Sequence, residues 1–156
     1  MKEQKPFKTW HLIFLILVIV ISIGHKIYSS LWPKATLKVA GQEMRVLVAD
    51  NYNHRLKGWS GRKDMGKYGG MLFVFPERSN HAMVMRDMHF PLDIIWLDGN
   101  KIVDIAPSLP PEPGISEEQL TIYRARAAST LVLELPAGFK DRTGLKIGDI
   151  IEIHKY

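Results

Sequence analysis

The residues best equipped for chemistry crowd into one short stretch, "HAMVMRDMHFPLD" at 81–93, where three methionines and two histidines fall within thirteen positions ending at Asp93. Thioethers and imidazoles are soft ligands suited to a monovalent ion such as copper(I). Read as an extended strand, the stretch places His81, Met83, Met85, Asp87 and His89 on one face and Ala82, Val84, Arg86 and Met88 on the other. Met83 and Met85 would then lie ~7 Å apart along the strand, close enough to share one ion with His81 or His89. Packing is the simpler use of these methionines. Methionine fills irregular cores, and the preceding strand offers Met71, Phe73 and Phe75 as neighbours. No His-x-His or His-x-x-x-His spacing supports zinc, and the sequence calls for no cofactor.

Two carboxylates form the second group of candidates. Asp93 in "LDIIWL" shares a strand face with Ile95 and Leu97, and Glu134 in "LVLEL" is flanked on its own face by Val132 and Pro136. A carboxylate in apolar surroundings needs a partner, because an unpaired buried charge is costly. Arg62 and Arg86 are the partners the sequence offers for Asp93. Such a carboxylate, an arginine and the adjoining glycine-rich loop "GWSGRKDMGKYGG" could hold a small polar ligand, or act as general base and anion clamp in a small hydrolase or lyase. The same residues could equally pin the loop to a sheet. Tyr123 and Arg124, at the end of a proline-rich stretch, could reach the mouth of such a site. Asp149 in "KIGDIIEI" reads as the organiser of a turn.

Several reaction classes drop out. With no cysteine there are no disulfides, thiolate metal sites or cysteine nucleophiles. No serine nucleophile elbow, phosphate-binding glycine loop or zinc-peptidase motif is present. The net charge of +5 is concentrated at the amino terminus. Residues 1–28 hold four Lys/Arg and one Asp/Glu, which leaves only +2 for the remainder. The basic stripe with stacking aromatics that nucleic-acid binding asks for is missing.

The elements that must position these residues follow from periodicity. Residues 1–9 carry Lys2, Lys5 and Lys8, and residues 10–28 form an apolar segment, uncharged from Leu12 to Gly24. As a helix, residues 10–28 would extend ~28 Å, near the ~30 Å of a bilayer core, with Trp10 and Tyr28 at the two interfaces and Lys26 snorkelling. The lysines favour a cytoplasmic amino terminus and an extracytoplasmic domain. The alternative is a signal peptide cleaved after Ser22-Ile23-Gly24, which also exports the domain. After a linker at 29–35, residues 36–156 read as one β domain.

Within it, "ATLKVAGQEMRVLVAD" reads as a hairpin and "NYNHRLKG" as a short helix capped by Asp50 and closed by Gly58. "MLFVF", "HAMVMRDM", "LDIIWL", "KIVDI", "TLVLEL" and "LKIGDIIEIHK" read as strands, with a long surface loop between "KIVDI" and "TLVLEL". The fold expected is an antiparallel sandwich or partly open barrel with one short helix, preceded by a single transmembrane helix.

Four ordered motifs, "GWSGR" at 58–62, "GGMLFVF" at 69–75, "MVMRDMHFPLDIIWL" at 83–97 and "LELPAGFKDRTGLKIGD" at 133–149, resemble the family called domain of unknown function 192 across residues 36–154. The resemblance implies a mainly β fold and no established activity. This chain departs from the family pattern at Trp59-Ser60, where leucine and methionine are usual, and at Val84, where the usual tryptophan-methionine pair has tryptophan; Met85 matches the family. Met83, Met88 and His89 are its own, so the metal reading is not inherited; Arg62 stands at the family's motif arginine. The expected role is a membrane-anchored extracytoplasmic binding or accessory domain, facing a small polar ligand, an envelope glycan or an envelope protein, with no nucleic acid.

Overall fold

Alternating hydrophobic residues in this chain serve two layers, one inside a curled sheet and one outside it. The computed structural model describes the backbone of residues 9–155 and the side chains of residues 10–24, 26 and 31–154. It falls into two units, one ending at Trp32 and one beginning at Pro33.

The first unit is a helix, α1 (Thr9–Ser30). Each of its described side chains is exposed, among them Trp10, Phe14 and the leucine, isoleucine and valine residues from 12 to 23. Among the described residues no helix is long and apolar enough to cross a membrane; the uninterrupted run of described side chains, residues 10–24, rises only ~22 Å. Lys2, Lys5 and Lys8 lie outside the described residues, as do the side chains of Tyr28 and of His25, which would begin a cleaved product.

The second unit is built on a seven-stranded sheet. Its strands are β1 (Lys34–Val39), β2 (Gln42–Ala49), β3 (Gly70–Ser79), β5 (Leu92–Asp98), β6 (Lys101–Leu109), β8 (Ser129–Pro136) and β9 (Glu152–Lys155), in the order β6-β5-β8-β3-β2-β1-β9. A separate ribbon pairs β4 (Ala82–Met83) with β7 (Tyr123–Arg124). The β1–β2 hairpin and the β domain read from the sequence are present, but the consecutive strands β3, β4 and β5 are not neighbours: β8 lies between β3 and β5, and β4 pairs only with β7. The sheet is mixed rather than antiparallel, because β2 and β3 run parallel. Parallel neighbours need a long crossover, and residues 50–69 supply it through α2 (Tyr52–Lys57) and the glycine-rich loop.

Backbone bonds from Ile102 to Asp149, from Gly148 to Ile102 and from Ile151 to Asn100 bring the sheet's β6 edge to the segment leading into β9. The sheet is thereby curled into a half-barrel rather than stacked as a sandwich. Its interior is filled by Leu37, Val39, Val46, Leu72, Ile95, Leu133 and their neighbours, with α3 (Phe139–Thr143) contributing Phe139 to this cluster. This second helix lies in "PAGFKDRTG", which reads as a plain turn, so the single short helix expected is corrected to two, with a 3-10 turn at Glu117–Gln119 besides.

The outer face carries Met71 and Phe73 from β3, Ile94 and Trp96 from β5, and Val132 and Glu134 from β8, all buried. Over it lie α2, the glycine-rich loop and residues 81–90. Gly70 is required where β3 meets β8: a Cβ there would stand 2.3 Å from the Glu134 carbonyl oxygen. The expected Asp50 cap on α2 is corrected as well. The Asn51 side chain accepts from the His54 amide at 3.0 Å, one residue later than read.

Candidate functional site

The methionine-rich stretch is not one strand. Only Ala82–Met83 is extended, and the chain then turns, with Asp87 at φ 49° and the Met88 amide bonded to the Met85 carbonyl at 3.3 Å. A left-handed residue breaks the period of two, so the single face shared by His81, Met83, Met85 and His89 does not form. His81 stacks on Phe75, ring centroids 3.7 Å apart, and its Nε2 lies 2.9 Å from the Glu77 carbonyl, while His89 is exposed. Met85 is fully buried. Among the described residues no group of three or more His, Asp or Glu could hold a metal ion.

The turn brings together a different set. Met83 and Met88, assigned from periodicity to opposite faces, both line a cavity of about 170 Å³ whose floor is Phe73 and Glu134 on β3 and β8. Its wall includes Trp59 and Gly58 from the glycine-rich loop, and Arg55, Lys57 and Arg86 line it as well. Glu134 lies opposite Met71 on one neighbouring strand and Ile94 on the other. Among the described residues its carboxyl has no hydrogen-bond or ionic partner, though the residue is only 4% exposed. Burial pushes its pKa up to about 8, so the acid form dominates at neutral pH. Trp59 Nε1 is fully buried and also has no acceptor. A buried carboxyl without a partner is unusual, because buried polar atoms nearly always find partners.

The arginines serve elsewhere. Arg86 pairs with Glu117, donates to the Leu56 carbonyl at 3.1 Å, and is held above its ordinary pKa by the bond to Glu117. Arg55 donates to the carbonyls of Asp50 at 3.0 Å and Val74 at 2.9 Å. Arg62 lies over the Trp59 ring, 5.5 Å from its centroid.

Asp93 is wholly buried, and its partners are neither Arg62 nor Arg86. Its carboxylate accepts from three backbone amides, Ser108 at 2.7 Å, Gly138 at 3.0 Å and Lys140 at 2.7 Å. It fastens the start of α3 and a bend in β6 to β5, and, wholly buried and engaged with these amides, it is removed as a candidate base. The Arg62–Asp93 pairing read from the sequence falls with it.

Tyr123 does not line the cavity. It pairs with Met83 across the β4–β7 ribbon, and its hydroxyl lies 3.5 Å from Glu112. Burial, followed by the Glu112 charge, raises the phenol pKa. Arg124 donates to the Asn80 carbonyl at 3.1 Å. The proline-rich stretch lies on the surface as expected from residue 110 to 122, and it is tied down at β7 as a strap. Its end holds a pair the sequence reading missed, Arg126 with the buried Asp104. Burial acts to raise the Asp104 carboxyl, but the Arg126 guanidinium with the Arg126 and Ile105 amides brings it below the usual carboxylate range. Asp149 does organise its turn, accepting from the Lys146 amide at 3.0 Å.

A half-barrel carrying a small cavity on its outer face, with an unpartnered acid at its floor, defines a β domain with a pocket. The chain belongs to the family domain of unknown function 192, described as an uncharacterized ACR, whose model matches residues 35–153. No curated protein matches the chain. Two solved structures are similar to it. One is a protein from Sinorhizobium meliloti described as a candidate transcription regulator, with 29% identity and a TM-score of 0.68, covering 78% of this chain and 95% of that one. The other is a protein of unknown function from Novosphingobium aromaticivorans, with 25% identity and a TM-score of 0.64, covering 78% of this chain and 84% of that one.

Proposed function

We propose that this protein is a membrane-tethered, extracytoplasmic binding or accessory domain that takes a small ligand in the Glu134 cavity. The observation that carries the binding role is a buried carboxyl without a partner, that of Glu134, lining a cavity whose wall includes Trp59. Polar groups buried without partners cost stability, and such costs persist where function uses them. Tethering rests on the sequence: an apolar helical segment at 10–28, with basic residues before it, suits a bilayer better than water. A role on nucleic acid, which the description of the Sinorhizobium protein suggests, is not our reading, since Lys/Arg and Asp/Glu are interspersed through residues 29–156.

The test is a thermal-shift screen of the full chain in detergent against small acids, amines, neutral aromatics and glycan fragments. Stabilisation that is reduced in a Glu134→Leu variant supports the reading. A screen without stabilisation, with a protein partner co-purifying instead, would replace the pocket by a scaffold role for an envelope protein. Digestion of the domain by protease added to spheroplasts, with the protein retained in alkali-washed membranes, is expected from the tether. Full protection would overturn it.

Glu134 also keeps an enzymatic reading alive, because an acid with a pKa near neutrality in a cavity is suited to general acid–base work. Its cationic neighbours there are Arg55, Lys57 and Arg86, not Arg62. Turnover of any bound ligand, lost in Glu134→Gln with binding retained, would establish it.

A further inference from the structure

The cavity's polar groups are arranged by sign. Its rim and walls carry three cations, Arg55, Lys57 and Arg86, and its only carboxylate is Glu134 at the floor. Arg55 and Arg86 are engaged with backbone carbonyls and Glu117, but Lys57 is exposed and its ammonium has no ionic or hydrogen-bond partner among the described residues. Between rim and floor the surface is apolar, formed by Phe73, Met83, Met88 and Trp59. About 170 Å³ is close to the volume that accommodates a benzene-sized body.

We propose that the cavity binds a small monocarboxylate with an aromatic-sized apolar body, its carboxylate at Lys57 and a neutral hydroxyl or carbonyl at its far end against Glu134. The proposal rests on the binding role given above and names the ligand class for it. An amine is disfavoured at the mouth by three cations, and a dianion is disfavoured because its second charge would be buried at the floor among apolar side chains. A neutral tip is favoured there. It can accept from the protonated acid or donate to its carbonyl oxygen, and it brings an oxygen into the cavity that Trp59 also lines, whose indole N–H has no acceptor. The apolar middle selects against short, fully hydrated acids such as acetate.

The probes are 4-hydroxybenzoate, benzoate, p-cresol and 4-hydroxybenzylamine, titrated into the full chain in detergent. Binding is read by calorimetry and by the methyl resonances of 13C-labelled Met83 and Met88. The expected order is 4-hydroxybenzoate first, with benzoate and p-cresol each weaker by about tenfold, the loss of one charge-assisted or one buried hydrogen bond. The amine should be the weakest. Lys57→Ala should erase the advantage of 4-hydroxybenzoate over p-cresol while leaving p-cresol unchanged. Glu134→Leu should erase its advantage over benzoate while leaving benzoate unchanged.

Methyl shifts on p-cresol with no gain from the carboxylate would overturn the ligand class and leave the cavity a binding site. An amine bound as well as the acid would do the same. Silence of both methyls toward all four probes would overturn the ligand class and the binding role together.

Discussion

Asp93 and Glu134 stand on adjacent strands at neighbouring register positions, Asp93 opposite Leu135 and Glu134 opposite Ile94, so they project to opposite sides of one sheet. Both are carboxylates in apolar surroundings and both are buried. Inside the half-barrel, three backbone amides converge on Asp93, and the charge is matched by donors that would otherwise lack acceptors at the start of α3 and in β6. Outside it, Glu134 meets a cavity and no partner, and its proton stays on. The difference teaches that burial alone does not mark a functional acid. The marker is burial without satisfaction, beside space.

The comparison breaks most visibly at Asp93. Asp93→Ala should lower unfolding free energy by ~3–5 kcal/mol, since it orphans three amides and removes a charge they were arranged around. Urea denaturation measures this, and hydrogen exchange at Lys140 should quicken. A loss as small as that of a surface residue would mean the anchor is not structural.

Glu134 should respond with the opposite sign. Replacing it by leucine removes an unsatisfied group, so stability at pH 8 should be unchanged or rise by ~1–3 kcal/mol. The wild type should also show a pH trend that the variant lacks. The folded pKa, about 8, lies above the ordinary 4.5, so the folded state holds the proton more tightly than the unfolded chain. Its contribution is therefore complete below pH 4.5 and declines as pH rises through about 8. Unfolding curves from pH 5 to 9 for wild type and Glu134→Leu test this, and parallel trends would refute it.

Gly70→Ala should affect both sides of the sheet alike. The added methyl meets the Glu134 carbonyl and the Leu135 side chain at 2.3 and 2.9 Å, so β3 and β8 must separate. A loss of ~1–3 kcal/mol is expected, together with altered 4-hydroxybenzoate affinity. The smallest effect belongs to Arg86→Ala. Its ion pair with Glu117 is half exposed on the Glu117 side, and such pairs contribute less than about 1 kcal/mol. A large loss there would show that the strap over residues 110–122 supports the fold rather than covering it.

The local residues determined a good deal. The β1–β2 hairpin, the strands carrying Asp93 and Glu134, the helix ending at Gly58 and the burial of both carboxylates were readable, because alternation and turn chemistry act over a few residues. So was the family, through four motifs in order. The fate of each carboxylate was not readable. Asp93 is satisfied by amides from Ser108, Gly138 and Lys140, far along the chain, and backbone donors have no side-chain identity for a sequence to display. Met88 was assigned to the wrong face because one left-handed residue, Asp87, cancels the period of two, and nothing in "MRDM" demands a positive φ. The parallel pairing of β2 with β3 was hidden for a related reason: each strand's own pattern is the same whichever way its neighbour runs. Residue types and spacing decided which groups would be buried, and the curling of one sheet, with what crosses each of its faces, decided that Asp93 would be filled with partners and Glu134 left waiting for one.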